Sequence, residues 1–144
     1  MNDQEREEKA ESVACMLDGK ALDHVADLFR ENAELAEISG LLMSDERMRV
    51  RLGATAVLEE LARENAPAAS GALPFLLPLL RHEHSLVRGD ALNVLGILGG
   101  TKVLPELRAL LQDPDPRVVE VARDVIEELE GEAAGDSSDR SETP

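Results

Sequence analysis

The sequence predicts an all-α, right-handed solenoid of about three to four stacked helix pairs. Three observations favour this fold class: the composition, the spacing of the apolar residues and an internal repeat. Hydrophobic residues make up 43% of the chain, yet aromatic residues make up only 1%. A leucine- and alanine-rich composition favours packed helices, whereas sheets are enriched in aromatic and β-branched residues.

The internal repeat is clearest between residues 73–98 and 104–129, which align without a gap. Each copy reads as a short helix, a tight polar loop and a longer second helix. Such a unit cannot bury its apolar face alone, so neighbouring copies are expected to stack. The matched residues are Leu73, Pro74, Leu76, Leu79, Leu80, Val87 and Ala91 in one copy and Leu104, Pro105, Leu107, Leu110, Leu111, Val118 and Ala122 in the other.

The second helix of the last copy carries an amphipathic stripe. In the loop before it, Asp115 is the expected N-cap and Pro116 the first helical residue, where the missing N–H of proline costs nothing. Its apolar residues recur at i, i+3, i+4, i+7, i+8 and i+11, the spacing of one helix face: Val118, Val121, Ala122, Val125, Ile126 and Leu129.

Two further copies are predicted upstream, and the one nearer the N-terminus is degenerate. Residues 33–61 carry the same Val-x3-Ala frame from Val50 to Ala54, and residues 13–29 contain two shorter apolar segments around a turn. The predicted organisation is an acidic N-terminal helix or cap (1–12), a degenerate first repeat (13–32), two repeats (33–71 and 72–102), a C-terminal repeat or cap (103–130) and a disordered acidic tail (131–144).

Charge and cysteine content exclude several classes of function. The formal net charge of −15 disfavours nucleic acid and anionic membrane surfaces, because both bind proteins largely through Lys and Arg. No apolar run reaches the roughly 18–20 residues of a membrane span, and the N-terminus lacks a signal-peptide pattern. The single Cys15 is expected to be a buried apolar thiol. These features predict a cytoplasmic protein.

The repeat resembles the HEAT family. The residues that carry the resemblance are the loop aspartates Asp45 and Asp113 and the pairs Val50–Arg51 and Val87–Arg88, and the short period is similar to HEAT-like repeats of phycobilisome-lyase type. The resemblance covers residues 33–130. An Asp–Arg ladder between repeats is usual in the family, and it is expected to be incomplete here because His82 and Val119 replace an Asp and an Arg.

This resemblance implies two alternative functions. The first is a non-catalytic adaptor or scaffold that binds a partner protein or peptide through the concave face of its second helices. The second is a phycobilin-lyase-like subunit that handles a tetrapyrrole or another prosthetic group. The chain has no Tyr and no Trp, residues that often line such pockets, so the adaptor is favoured and no cofactor is predicted.

His82, Glu83 and His84 are the residues that most resemble a catalytic or metal site. Some HEAT-type enzymes bind iron, but they use several His-Glu pairs, and one such pair cannot fill the coordination sphere. The alignment places His82 in the inter-helix loop, and His24 lies about two repeats away. The sequence therefore predicts no metal site, no catalytic residue and a solvated loop, with Ser85 as N-cap.

The predicted partner site is the row of exposed positions on the second helices, which are small or apolar in the middle and charged at the rim. Such a strip favours a partner with basic flanks. The alternatives are that these residues pack against a neighbouring helix or form a homodimer. The partner-binding residues predicted are Leu52, Thr55, Ala56, Glu59, Glu60, Leu92, Asn93, Ile97, Arg123 and Asp124.

Overall fold

A computed structural model describes the backbone of residues 1–142 and the side chains of residues 1–135. Every regular element in this part of the chain is helical, which confirms the all-α solenoid; its right-handed sense stays a prediction. The α-helices are α1 (Asp3–Asp18), α2 (Leu22–Glu31), α3 (Ser39–Met43), α4 (Met48–Arg63), α5 (Pro67–Gly71), α6 (Leu73–Leu76), α7 (Ser85–Gly99), α8 (Leu104–Arg108) and α9 (Pro116–Glu142).

Three repeats each combine a short, broken first helix with a long second helix. The first helices continue in 3-10 geometry or begin with it, and prolines lie at the first or second residue of several segments, where their missing N–H is tolerated. Helix α7 contacts both α4 and α9, so it is the central second helix of the stack. The 3-10 segments are Ala33–Ile38, Leu77–Arg81, Gly100–Val103 and Ala109–Gln112.

The N-terminal pair is α1 and α2. The division into a cap (1–12) and a degenerate first repeat (13–32) stays a prediction, and helix α1 is continuous across that boundary. Its buried stripe is Ala10, Val13, Ala14 and Leu17, one residue away from Cys15. The thiol is therefore exposed and donates to Glu11 at 3.5 Å, and the prediction of a buried cysteine is wrong.

At the other end, α9 extends to Glu142, well into the segment for which the sequence predicts disorder. Residues 131–135 are exposed, yet Ala and Glu are strong helix formers, and each residue added to an existing helix gains a backbone hydrogen bond. The last two residues of the predicted tail lie outside the described backbone. Disorder of residues 131–144 stays a prediction.

Arg88 connects the central repeat to the one that follows. Its Nη1 donates to the backbone carbonyls of His82 (2.8 Å) and Glu83 (3.2 Å), which closes the loop that precedes its own helix. Its Nε and Nη2 donate to both carboxylate oxygens of Asp113 in the next repeat, at 2.8 and 3.0 Å. Only 12% of the Arg88 side chain and 5% of the Asp113 side chain are exposed. The pair is thus a buried, bidentate link between repeats.

Arg51 occupies the equivalent position one repeat earlier and closes its loop in the same way. Its Nη1 donates to the carbonyls of Asp45 (2.8 Å) and Glu46 (2.9 Å). In the next repeat, however, His82 replaces the aspartate that would receive the rest of the guanidinium. The buried Nε of Arg51 has no hydrogen-bond partner, and the carboxylate of Asp90 lies 3.8 Å away. The ladder is incomplete at the position that the sequence indicated.

Two glycines of α7 provide a matched test of helix packing. A Cβ at Gly96 would lie 2.7 Å from Cγ1 of Val125 on α9, whereas a Cβ at Gly89 would meet nothing within 4 Å. We expect Gly96→Ala to lower the free energy of unfolding by about 1–3 kcal/mol through overpacking. Gly89→Ala should raise it by about 0.5–1 kcal/mol, because alanine favours helix. Urea denaturation measures both, and equal signs would contradict this packing.

Removal of one partner of the buried link should destabilise the stack. We expect Asp113→Ala to lower the free energy of unfolding by roughly 3 kcal/mol, since it leaves the Arg88 guanidinium buried without its anion. Asp23→Ala, an exposed carboxylate on α2, is the control and should change stability by less than about 0.5 kcal/mol. Urea denaturation at neutral pH is the measurement. Similar losses in both variants would show that the link contributes nothing specific.

The same link predicts a pH dependence. Hydrogen bonds from Arg88, with a further one from the backbone N–H of Asp115, hold the pKa of the Asp113 carboxyl below its usual value. The folded state therefore favours the carboxylate, and this contribution is complete above the unfolded pKa of about 3.9 and lost as pH falls through the lower folded pKa. The stability difference between the parent protein and Asp113→Ala should be constant at about pH 5–7 and shrink below about pH 4. A difference unchanged at about pH 3 would contradict this.

Candidate functional site

Two adjoining hollows lie between α7 and α9, and Asn93 lines both. The first, of about 330 Å³, lies between the N-terminal halves of the helices and contains Leu86 and Val121. The second, of about 430 Å³, lies between the C-terminal half of α7 and the middle of α9 and contains Ile97 and Val125. Because the residue numbers of both helices increase from the first hollow to the second, the two helices run in the same direction. We call the two hollows together the α7–α9 groove.

Small residues of α7 give the groove its depth. Gly89 lines the first hollow, and the space into which a Cβ would point is open. Gly96 lines the second and allows Val125 of α9 to approach closely. Since neither residue has a side chain, the surface of α7 is lowered along the line that α9 faces.

Large exposed apolar side chains lie at both ends of the groove. Leu86 is 60% exposed in the first hollow and Ile97 is 49% exposed in the second. Half-buried Val121 and Val125 of α9 lie between them. Exposed apolar side chains grouped in this way on a charged protein are typical of a surface that another molecule covers.

The charged residues of the groove differ in how well they are compensated. Asp115 is hydrogen-bonded to the side chain and backbone N–H of Arg117, which lowers the pKa of its carboxyl. Asp90 has the opposite shift, because burial raises the pKa of its carboxyl and the nearby positive charge of Arg51 only partly opposes this. Glu128 and Glu132 line the second hollow and are exposed.

The structure places only two of the sequence-predicted residues in this groove, Asn93 and Ile97. Leu52 and Ala56 are exposed on α4, and Arg123 and Asp124 are exposed on α9, but none of these four lines the groove. Leu52, at 61% exposure, is nevertheless among the most exposed large apolar residues of the described chain.

The structure contradicts the prediction for Leu92. The sequence predicts it as an exposed partner-binding residue, but it is completely buried. Its counterparts in the alignment are half-buried Thr55 and exposed Arg123. Helix α4 has neighbours on both sides, as α7 does, so equivalent positions differ in exposure even between two flanked helices. The alignment therefore transfers the position but not the exposure.

The remaining predicted residues on α4 are half-buried and face neighbours within the fold. The hydroxyl of Thr55 donates to the backbone carbonyl of Arg51 at 2.9 Å. The carboxylate of Glu60 accepts from Arg30 at 3.0 Å. Glu59 is half-buried as well. Thr55 and Glu60 already have hydrogen-bond partners, so they are less available to another molecule than Ile97.

Sequence reasoning missed Leu86, Asp90, Val121 and Val125 as groove residues. Val121 and Val125 belong to the apolar stripe of α9, which the periodicity assigns to the core. Both are only half-buried: the space above Gly89 in the first hollow is open, whereas Val125 packs closely on Gly96 in the second and keeps its other side exposed. The signal available in the sequence was the pair Gly89 and Gly96, which lie seven residues apart, about two turns, and so on one side of a helix.

The histidine pair lies in the loop before α7, as predicted. The Nδ1 of His82 accepts the backbone N–H two residues further along at 3.1 Å, and the carboxylates of Asp45 and Asp113 accept the equivalent N–H at 2.9 Å in their loops. His82 thus reproduces the turn of the aspartate that it replaces. Helix α7 begins at Ser85, so His84 and not Ser85 holds the N-cap position.

Among the described residues, no group of three or more His, Cys, Asp or Glu side chains converges in a way that could hold a metal ion. No helix within the same part of the chain is both long and apolar enough to span a bilayer.

The comparison with protein families agrees with the stacked helix pairs. A family model described as HEAT repeats matches residues 35–127, which is more than half of the chain. No curated protein and no solved structure matches the chain. HEAT repeats generally mediate contacts between proteins. The repeated helix pairs, their arginine-closed loops and this match together show that the chain belongs to the HEAT-repeat family.

Proposed function

We propose that this protein is a non-catalytic adaptor that binds a partner protein or peptide through the second-helix face, with the α7–α9 groove at its centre. The main support for the proposal is the exposure of Ile97. This large apolar side chain is 49% exposed in a hollow that Val125 and Leu129 also line. Burial of such a side chain by a partner is favourable, and its position in a hollow gives shape specificity.

The charge distribution favours a partner with basic flanks. Glu120, Asp124, Glu127 and Glu128 of α9 are all exposed, and the whole chain carries a formal charge of −15. Exposed charges of one sign add little affinity individually, but together they speed association with a partner of opposite sign. The apolar groove would then provide most of the affinity, and the acidic surface would select the partner.

A larger hollow, of about 580 Å³, lies elsewhere on the protein and lacks a feature that the α7–α9 groove has. It lies between first-helix segments and contains Pro74, Pro78 and Leu110. None of the large apolar side chains that are exposed in the described chain lies in it. It therefore lacks a protruding apolar side chain that a partner could enclose as an anchor.

Homodimer formation and the handling of a tetrapyrrole remain alternative hypotheses. A dimer through the second-helix face would cover Leu52 and Ile97, which are exposed in the single chain. No feature of the described residues favours a tetrapyrrole over a peptide.

The adaptor proposal predicts that Ile97→Glu abolishes partner binding and leaves the fold intact, because the charge is placed in the groove and not in the core. Leu41→Glu is the matched control, since Leu41 is 42% exposed on α3 and outside the groove. Affinity capture with mass spectrometry, followed by binding measurements on the recovered partner, compares the two variants. Helical circular dichroism should be unchanged in both. A partner retained by Ile97→Glu would show that the groove assignment is wrong.

A further inference from the structure

Within the first hollow of the groove, the carboxylate of Asp90 is poorly satisfied. It is half-buried, and none of the described side chains donates a hydrogen bond to it. The nearest cation, Arg51, is at 3.8 Å, and two loop carbonyls already hold its Nη1. Burial raises the pKa of this carboxyl and the charge of Arg51 opposes the shift only in part, which agrees with an anion that is partly removed from water and accepts no hydrogen bond from a side chain.

The other charged groups at the first hollow are already compensated. Asp115 and Arg117 form an ion pair at 3.0 Å at its edge, and the side chain of Arg117 is 85% exposed. Their charges cancel locally, so Asp90 is the anion that a cation entering the hollow would meet. The walls, Leu86 and Val121, are apolar and would contact the hydrocarbon stem of a long cationic side chain.

We propose that the first hollow receives a Lys or Arg side chain of a helical partner segment, paired with Asp90, while an aliphatic residue of the same segment packs on Ile97 in the second hollow. This inference rests on the proposed adaptor function and names the chemistry of the partner. A groove between two helices suits a third helix, which buries one apolar face in it.

The geometry of α7 sets the spacing on the partner. Asp90 and Ile97 are seven residues apart on one helix, which is about 10.5 Å at 1.5 Å per residue. A partner helix lying along α7 would present its cation and its aliphatic residue two turns apart, at positions i and i+7 in either order. The acidic residues Glu128 and Glu132 beside the second hollow favour further basic residues near the aliphatic anchor.

The test is selection of a phage-displayed library of random dodecapeptides on the full chain, followed by fluorescence polarisation with the enriched peptides. We expect enrichment of sequences in which Lys or Arg and Leu, Ile or Met are seven positions apart. Asp90→Asn should weaken binding by about tenfold or more, because a desolvated charge pair loses one partner. Asp23→Asn, an equal charge change on exposed α2, should leave the affinity within about twofold.

A double-mutant cycle makes the assignment independent of any effect of Asp90→Asn on stability. Replacement of the peptide cation by norleucine should weaken binding to the parent protein but have little further effect on Asp90→Asn, since interacting residues are not additive. Additive losses would overturn the pairing. Circular dichroism and the thermal midpoint check that each variant is folded.

The outcomes also separate this inference from the adaptor proposal. If Ile97→Glu abolishes peptide binding while Asp90→Asn behaves like Asp23→Asn, the cation site is wrong and the groove stands. If the peptides still bind Ile97→Glu, the groove itself is wrong and the inference falls with it. A library that yields no binding peptide would also overturn the inference, because its occupant is a short helical segment.

Discussion

The buried pair between Arg88 and Asp113 is the interaction on which the arrangement of the second helices depends. Arg88 closes the loop before α7 through two backbone carbonyls and at the same time binds the loop before α9. One side chain thereby fixes the N-terminal ends of both helices relative to each other. Since α7 and α9 start from connected loops and run in the same direction, the space between them is a defined groove and not a variable gap.

The proposed binding surface is the part of that groove where packing is incomplete. The space above Gly89 is open, and Val125, which packs closely on Gly96, is still only half-buried. At the boundary between α4 and α7 the Asp–Arg ladder is incomplete, and Asp90 lies 3.8 Å from Arg51 without a direct hydrogen bond. The stack thus combines one repeat boundary with a complete Arg–Asp link and one at which the buried Nε of Arg51 has no hydrogen-bond partner, and both boundaries involve the central helix α7.

The repeat, the loops and the start of α9 could be predicted from the sequence, because they depend on local spacing and on residues such as Pro116 and Asp113. Exposure was harder to predict. Leu92 is buried, although its equivalent Thr55 on the similarly flanked α4 is only half-buried, and Cys15 is exposed because the stripe of α1 passes one residue away from it. Both outcomes depend on how helices pack in space, which periodicity within one helix does not specify. The groove depends on the glycines of a neighbouring helix and was missed for the same reason.

Methyl NMR of the full chain, titrated with a binding peptide, tests most directly whether a partner binds in the α7–α9 groove. Leu, Ile or Val methyl groups line the groove and also the larger hollow between the first-helix segments. Binding in the groove predicts the largest shift changes at Leu86, Ile97 and Val125, with little change at Leu77 and Leu110. Changes concentrated at Leu77 and Leu110 would instead place the partner on the first-helix hollow and show that the groove is not the binding site.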